Sequence, residues 1–212
     1  MKSYSLNDMK EFLILVGVRT FEFFYFFGGL INLTLQNFYF MFMPPFSSKR
    51  FFDQSKKAGV DSLPIAALIA MFIGVIFALQ TAVFMQRMGS EMYIASIVAL
   101  AIVRELGPVI TALVVAGRVG AAITAELGSM QVSEQIYALE TLATNPVQYL
   151  VVPRFLALSI MLPILTLFAD FIGILGSYIM CVYRLGISSS LYIQVTRDSI
   201  LEQLLPSVDL SN

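Results

Sequence analysis

The chain has 212 residues, of which 58% are hydrophobic and only 13% are charged, and its mean hydropathy is +0.82. One soluble core cannot bury so much apolar surface, so lipid must surround much of this chain. The formal net charge of -1 argues against a nucleic-acid-binding protein, which needs a clustered basic surface. The lack of His and the single Cys181 argue against a transition-metal site and exclude an intrachain disulfide.

Aromatic residues dominate the first apolar stretch, 12–43, but polar residues interrupt it and Gly28-Gly29 disfavours a continuous helix. The polar residues are Arg19, Glu22, Asn32, Thr34, Gln36 and Asn37. Aromatic rings favour the interfacial layer of a membrane, where polar groups can stay in water. We therefore predict an interfacial helix over 12–43, with an ordinary transmembrane helix as the alternative because the stretch is long enough to cross.

A basic segment precedes the first clear membrane span. After Pro44-Pro45 the chain carries Lys49, Arg50, Lys56 and Lys57 against Asp53 and Asp61. Basic segments beside membrane helices favour the cytoplasmic side, so the first span, predicted over 64–85, runs outward. Its small residues Gly74 and Ala78, with Gln80, suit close packing against a neighbouring helix.

The second span is predicted over 92–117 and contains two adjacent charges, Arg104 and Glu105. A charge at the centre of a membrane helix is costly, so both side chains should face a protein interior or a watery cavity, with partners. Gly107 and Pro108 supply a bend, because proline removes one backbone hydrogen bond. A structural ion pair that fixes this bend and a role in a transport path are both open.

A more polar region, 119–144, separates the second and third spans. Its residues Leu127, Met130, Glu134, Tyr137 and Thr141 recur at steps of three and four, which predicts a short amphipathic helix outside the membrane. Asn145-Pro146 ends that helix. It could be a solvated connector or a docking surface for a partner.

The third span is predicted over 155–183 and is almost entirely apolar except for Asp170 near its centre. A carboxyl group in mid-membrane is a candidate functional site, although a hydrogen-bonded structural Asp is the alternative. Gly173 and Gly176 form a small-residue face for close helix packing.

Three motifs carry a resemblance to a known family. Residues 104–155 read RELGPVITALVVAGRVGAAITAELGSMQVSEQIYALETLATNPVQYLVVPRF, residues 162–177 read LPILTLFADFIGILGS, and residues 73–80 read IGVIFALQ. In this order they resemble the MlaE-type permeases of the Mla/Mce lipid-transport ABC systems. The resemblance covers most of residues 60–185, whereas the first 60 residues match only in kind.

The resemblance implies a homodimer on two ABC ATPase subunits, with an MCE-domain substrate-binding protein on the far side of the membrane and phospholipid as cargo. ATP and Mg would bind to the ATPase, and this chain accordingly has no GxxxxGK[ST] loop and no cofactor of its own. The location would be a bacterial inner membrane, with a plastid envelope as the alternative.

Site residues also follow from the resemblance. The segment from Glu126 to Pro146 resembles the family's cytoplasmic coupling helix, so we expect the ATPase to contact Glu126, Ser129, Glu134 and Tyr137. The lipid cavity would be lined by Ile73 and Phe77, with Gln80, Arg104, Glu105 and Asp170 as polar groups of the transport path.

The sequence thus predicts an all-α integral membrane protein. One permease domain over 1–212 would contain an N-terminal interfacial helix, three transmembrane helices and a coupling helix between the second and third spans. Family members continue with two further spans, so we expect this chain to lack them and to have little activity alone. The alternatives are an ion- or proton-coupled secondary transporter subunit that uses Arg104, Glu105 and Asp170, and a membrane scaffold that does not transport.

Overall fold

The computed structural model describes residues 6–41, 48–90 and 93–204, and within these ranges every regular element is helical. This confirms the predicted all-α fold class. The helices are α1 Leu6–Met41, α2 Ser48–Ala58, α3 Leu63–Arg87, α4 Ile94–Ala101, α5 Gly107–Val132, α6 Gln135–Thr141, α7 Val152–Tyr183 and α8 Ser189–Leu204. A 3-10 turn, Val60–Ser62, joins α2 to α3, and wide π-helical turns at Ile102–Leu106 and Val147–Val151 precede α5 and α7.

Four helical segments are long and apolar enough to cross a membrane. They are Leu13–Met41, Ser48–Arg87, Ile94–Val132 and Val147–Tyr183. Three of them contain the three predicted spans, apart from residues 92 and 93 of the second span. The fourth is α1, which the sequence predicted as an interfacial helix. By length and composition α1 therefore fits the alternative of a membrane-crossing helix.

Helix α1 is continuous through Gly28-Gly29, where the sequence predicted a weakness. A glycine costs about 1 kcal/mol in a helix, whereas broken backbone hydrogen bonds cost several kcal/mol each in lipid. The apolar surroundings therefore favour one unbroken helix. The predicted end at residue 43 and the Pro44-Pro45 stop lie outside the described residues.

The chain divides into two compact units. One comprises the chain up to Ser47 together with Ile136–Pro153, and the other comprises Ser48–Gln135 and the chain from Arg154 onward. In the first unit, α1 packs against the π turn at Val147–Val151. In the second unit, α3 packs against α4 and α5, and α4 packs against α8.

Glycines allow α3 and α7 to approach each other closely. A Cβ atom on Gly74 would overlap the backbone of Gly173, and one on Gly176 would crowd the backbone of Met71. The predicted small-residue faces of both spans are therefore confirmed, except that Gln80 is exposed and takes no part. Around this contact lie two apolar clusters. One is centred on Ala78, Ala82, Ile94, Ala95, Val98, Ile102, Cys181 and Tyr192, and the other on Ala58, Ala66, Val115, Val119 and Leu165.

The structure differs from the sequence prediction between the second and third spans. Helix α5 does not end near residue 117 but continues to Val132, and α6 is only seven residues long. Glu134 has φ 57°, a left-handed conformation that interrupts the helix. The stripe from Leu127 to Thr141 was therefore wrongly assigned to one amphipathic helix. A helix can extend beyond the bilayer, and the moderate polarity of residues 118–132 concealed this extension.

Candidate functional site

A buried carboxyl group lies between α7 and the start of α5. Asp170 on α7 is 7% exposed and faces Gly107, the first residue of α5, so closely that a Cβ atom on Gly107 would overlap its Oδ1. Glycine is therefore required at this contact. Oδ1 of Asp170 has no hydrogen-bond partner among the described residues, and the same holds for Oγ1 of the fully buried Thr111, one turn further along α5.

The π turn Ile102–Leu106 leads directly into this contact. The amide N–H of Gly107 donates to the carbonyl of Ile102, five residues earlier, and Pro108 has no N–H to donate. The irregularity thus lies just before Gly107 and Pro108, the residues that the sequence singled out for a bend. Wide turns of this kind are frequent at functional sites.

Arg104 and Glu105 lie in this π turn, and both are exposed. Neither forms an ion pair within the described part of the chain, contrary to the expectation that they have partners here. Asp170 is buried, so the structure does not join the three charges into one group. The role of Arg104 and Glu105 in a transport path stays a prediction.

The predicted lipid-cavity residues differ in their surroundings. Ile73 and Phe77 are half-buried, and Phe77 packs against the apolar cluster around Ala78 and Ile94. Gln80 is exposed on the same helix. Their role in lining a cavity stays a prediction.

A second polar group joins three helices at one end of the second unit. Oε2 of Glu126 on α5 lies 3.0 Å from Nη2 of Arg154 on α7, and its Oε1 lies 3.4 Å from Nζ of Lys57 on α2. Nearby in sequence, Nη1 of Arg118 donates to Oγ of Ser62, at 2.7 Å. We call Lys57, Glu126 and Arg154 the ion-pair cluster.

The burial of Arg154 explains why these charged side chains come together. The Arg154 guanidinium is only 7% exposed, and a buried charge requires an opposite charge close by. Sequence reasoning assigned Glu126 to an ATPase contact and missed both of its partners, of which Lys57 is 69 residues away. The available signal was that three charges lie where predicted spans end on the same side of the membrane.

The other predicted coupling residues lie around the break between α5 and α6. The Ser129 carbonyl accepts hydrogen bonds from both the backbone N–H and the Oγ of Ser133, at 3.0 and 2.7 Å. The N–H of Glu134 donates to Gln131 at 3.2 Å. Ser129 and Glu134 are exposed, and so is Tyr137 on α6, at 57%. These three side chains are thus available to a partner, whereas Glu126 is engaged within the chain.

Metal-binding side chains are not gathered anywhere in the described ranges, where no three His, Cys, Asp or Glu residues could hold an ion together.

Comparison with known proteins places these features in a family. Residues 51–205, which include most of α2 and all of α3 to α8, match the family described as Permease MlaE. A probable ABC transporter permease protein of Rickettsia felis is 40% identical over 181 residues, covering 85% of this chain and 70% of that protein.

Two relatives carry more specific names. The intermembrane phospholipid transport system permease protein MlaE of Haemophilus influenzae is 40% identical over 142 residues, covering 67% of this chain and 54% of that protein. The chloroplastic protein TRIGALACTOSYLDIACYLGLYCEROL 1 of Arabidopsis thaliana is 40% identical over 154 residues, covering 73% of this chain and 43% of its own length. The matched part of this chain thus spans between less than half and about seven tenths of these relatives.

Proposed function

This chain belongs to the MlaE permease family, and on that premise we propose that it is the membrane-spanning permease subunit of an ATP-driven phospholipid transporter. The family match over residues 51–205 carries this proposal. It is supported by the four segments able to cross a membrane and by a relative named as a phospholipid transport permease.

We assign ATP hydrolysis to a separate ABC ATPase, with ATP and Mg bound there. On the other side of the membrane we propose an MCE-domain protein that exchanges phospholipid with the permease. A second copy of the permease would complete a homodimer. The membrane would be a bacterial inner membrane, since relatives include bacterial permeases, with a plastid envelope as the alternative.

The proposed contacts with the ATPase are Ser129 and Glu134 of the second unit and Tyr137 of the first unit, each of which is exposed. Closure of the ATPase on ATP would displace the end of α5, and the ion-pair cluster would carry the displacement into the spans because it ties α2, α5 and α7 together. A ligand that favours one arrangement of the spans is sufficient to shift their equilibrium. Glu126 thus acts as a positioning residue in this proposal.

The test is reconstitution of the chain with its co-purified partners in proteoliposomes, with transfer of labelled phospholipid as the readout. Transfer should require ATP and persist when the proton gradient is dissipated. Transfer that follows the gradient and ignores ATP would establish the secondary transporter instead. Assembly with the ATPase without any lipid movement would establish the scaffold.

Matched variants locate the contact. Tyr137→Ala should weaken binding of the ATPase by about tenfold, the loss expected when an aromatic contact residue is truncated. Tyr183→Ala is the control, because Tyr183 is also exposed but lies at the far end of α7. Equal ATPase binding by both variants would refute the assignment of Tyr137.

A further inference from the structure

Helix α2 lies at the end of the membrane-crossing part of the second unit. It is followed by the turn Val60–Ser62 and then by α3, whose apolar sequence begins at once. One face of α2 is buried through Ser55 and Ala58, and the adjacent Gly59 lies against Met161 of α7. These contacts fix which side of α2 is turned outward.

The outward side of α2 combines positive charge with an aromatic ring. Lys49 and Lys56 are seven residues apart, so they point in nearly the same direction, and both are exposed. Phe52 lies between them along the helix and is 68% exposed. Asp53 also lies on this side, so the face carries two lysines against one carboxylate. We call Lys49, Phe52 and Lys56 the outer face of α2.

The two lysines of the outer face have no anionic partner within the described part of the chain. Neither Lys49 nor Lys56 forms an ion pair there, whereas Lys57, on the neighbouring side, is bound to Glu126. The Phe52 ring is exposed between these two lysines, and the hydrophobic effect favours its transfer from water into an apolar layer.

We propose that the outer face of α2 binds anionic phospholipid headgroups of the bilayer leaflet at this end of the spans. The Lys49 and Lys56 ammonium groups reach the phosphates, and the Phe52 ring enters the boundary between headgroups and acyl chains. The start of α3 directly after α2 places this face at the depth of the headgroups. This inference requires only that the chain spans a membrane, so it does not depend on the proposed transport function.

The charge on each lysine gives the size of the expected effect. A lysine near an anionic leaflet contributes about 1 kcal/mol, which corresponds to about a fivefold local enrichment of anionic lipid at low salt. The attraction is screened within a Debye length, so the enrichment falls as salt is added.

The absence of tryptophan from the chain permits a direct test. The Phe52→Trp variant of the full chain is reconstituted in phosphatidylcholine nanodiscs that contain a minor fraction of phosphatidylglycerol. The tryptophan fluorescence is compared between two nanodisc samples. In one the phosphatidylglycerol carries bromine, which quenches tryptophan on contact, and in the other an equal amount of the phosphatidylcholine carries it. Stronger quenching by brominated phosphatidylglycerol, which decreases with salt and with Lys49→Gln/Lys56→Gln, is the expected result.

The control variant is Arg87→Gln/Arg184→Gln. It removes two positive charges at the ends of α3 and α7 that lie away from α2, and it should leave the lipid preference unchanged. Equal quenching by the two lipids at low salt would overturn the proposal, and so would a preference that the double lysine variant retains. Absence of quenching by either lipid would overturn it as well, because the face would then be covered by protein.

Discussion

Arg154 and Glu126 form an ion pair of 3.0 Å between Nη2 and Oε2 that joins the start of α7 to the last third of α5. The two side chains differ in exposure: the guanidinium is 7% exposed and the carboxylate is 38% exposed. Nε and Nη1 of Arg154 have no hydrogen-bond partner among the described residues. Among the described residues, the Glu126 carboxylate is therefore the only group that compensates the buried charge of Arg154.

Glu126→Gln leaves the buried guanidinium without an opposite charge. We expect the free energy of unfolding in detergent to fall by about 2 kcal/mol, less than for a fully buried pair because water reaches Glu126. Lys57→Gln is the control, since Lys57 is well exposed and its 3.4 Å contact should contribute less than about 1 kcal/mol. Equal losses in the two variants would contradict the dominant role of Arg154.

Gly107→Ala places a methyl group on Oδ1 of Asp170. Overpacking of a well-packed interface should cost about 1–3 kcal/mol in the free energy of unfolding. The double variant Gly107→Ala/Asp170→Ala should recover much of this loss, because the overlapping atom is then gone. Gly120→Ala, in the same helix with open space around it, should be neutral or stabilising. Absence of recovery in the double variant would show that Asp170 is not the cause.

Gly74→Ala forces α3 away from α7, because the obstacle is the backbone of Gly173 and not a side chain that can move. The expected loss is about 3 kcal/mol or more, larger than for Gly107→Ala. Shortening Ile102, whose side chain also contacts Gly173, should not restore the stability. A loss no greater than that of Gly117→Ala, which meets no atoms, would contradict the close contact.

The turn at Glu134 separates α5 from α6. Glu134→Gly should be tolerated or stabilise the protein, because glycine accepts φ 57° and a side chain there costs about 1 kcal/mol or more. Glu134→Val should be destabilising, since a β-branched residue opposes this conformation. Thermal unfolding of both variants in detergent checks this order of stability. A Val variant more stable than the Gly variant would contradict the left-handed conformation of Glu134.

Tyr192 on α8 hydrogen-bonds to Ser177, with 2.6 Å between its hydroxyl and Oγ. Burial raises the pKa of the Tyr192 phenol above its ordinary value. The stability that neutral Tyr192 contributes is therefore complete below the usual tyrosine pKa of about 10 and is lost as pH rises through the higher folded-state pKa. Tyr192→Phe should cost about 1 kcal/mol at neutral pH and weaken the alkaline loss of stability.

Unfolding midpoints measured at neutral and alkaline pH check this prediction. Tyr183→Phe is the control, because Tyr183 is almost fully exposed and should change neither value. An alkaline loss of equal size in wild type and Tyr192→Phe would show that other groups cause it.

Much of the fold follows from local pattern. Apolar runs of sufficient length locate α3 and α7, and the small residues Gly74, Gly173 and Gly176 indicate the faces on which they pack. These predictions succeed because hydropathy and side-chain size act at each position, whatever the distant chain does. For the same reason, the sequence by itself determined that this is an all-α membrane protein, and its motifs indicated the family.

Contacts between distant residues were decided only by the tertiary structure. The pairing of Glu126 with Lys57 and Arg154, the facing of Gly107 and Asp170, and the outward turn of Lys49 and Lys56 depend on how separate helices rotate and cross. The end of α5 at Val132 also depends on that packing, because polarity alone does not stop a helix at the membrane surface. Composition fixes the solvent of a helix, whereas packing fixes its neighbours and the direction of each side chain.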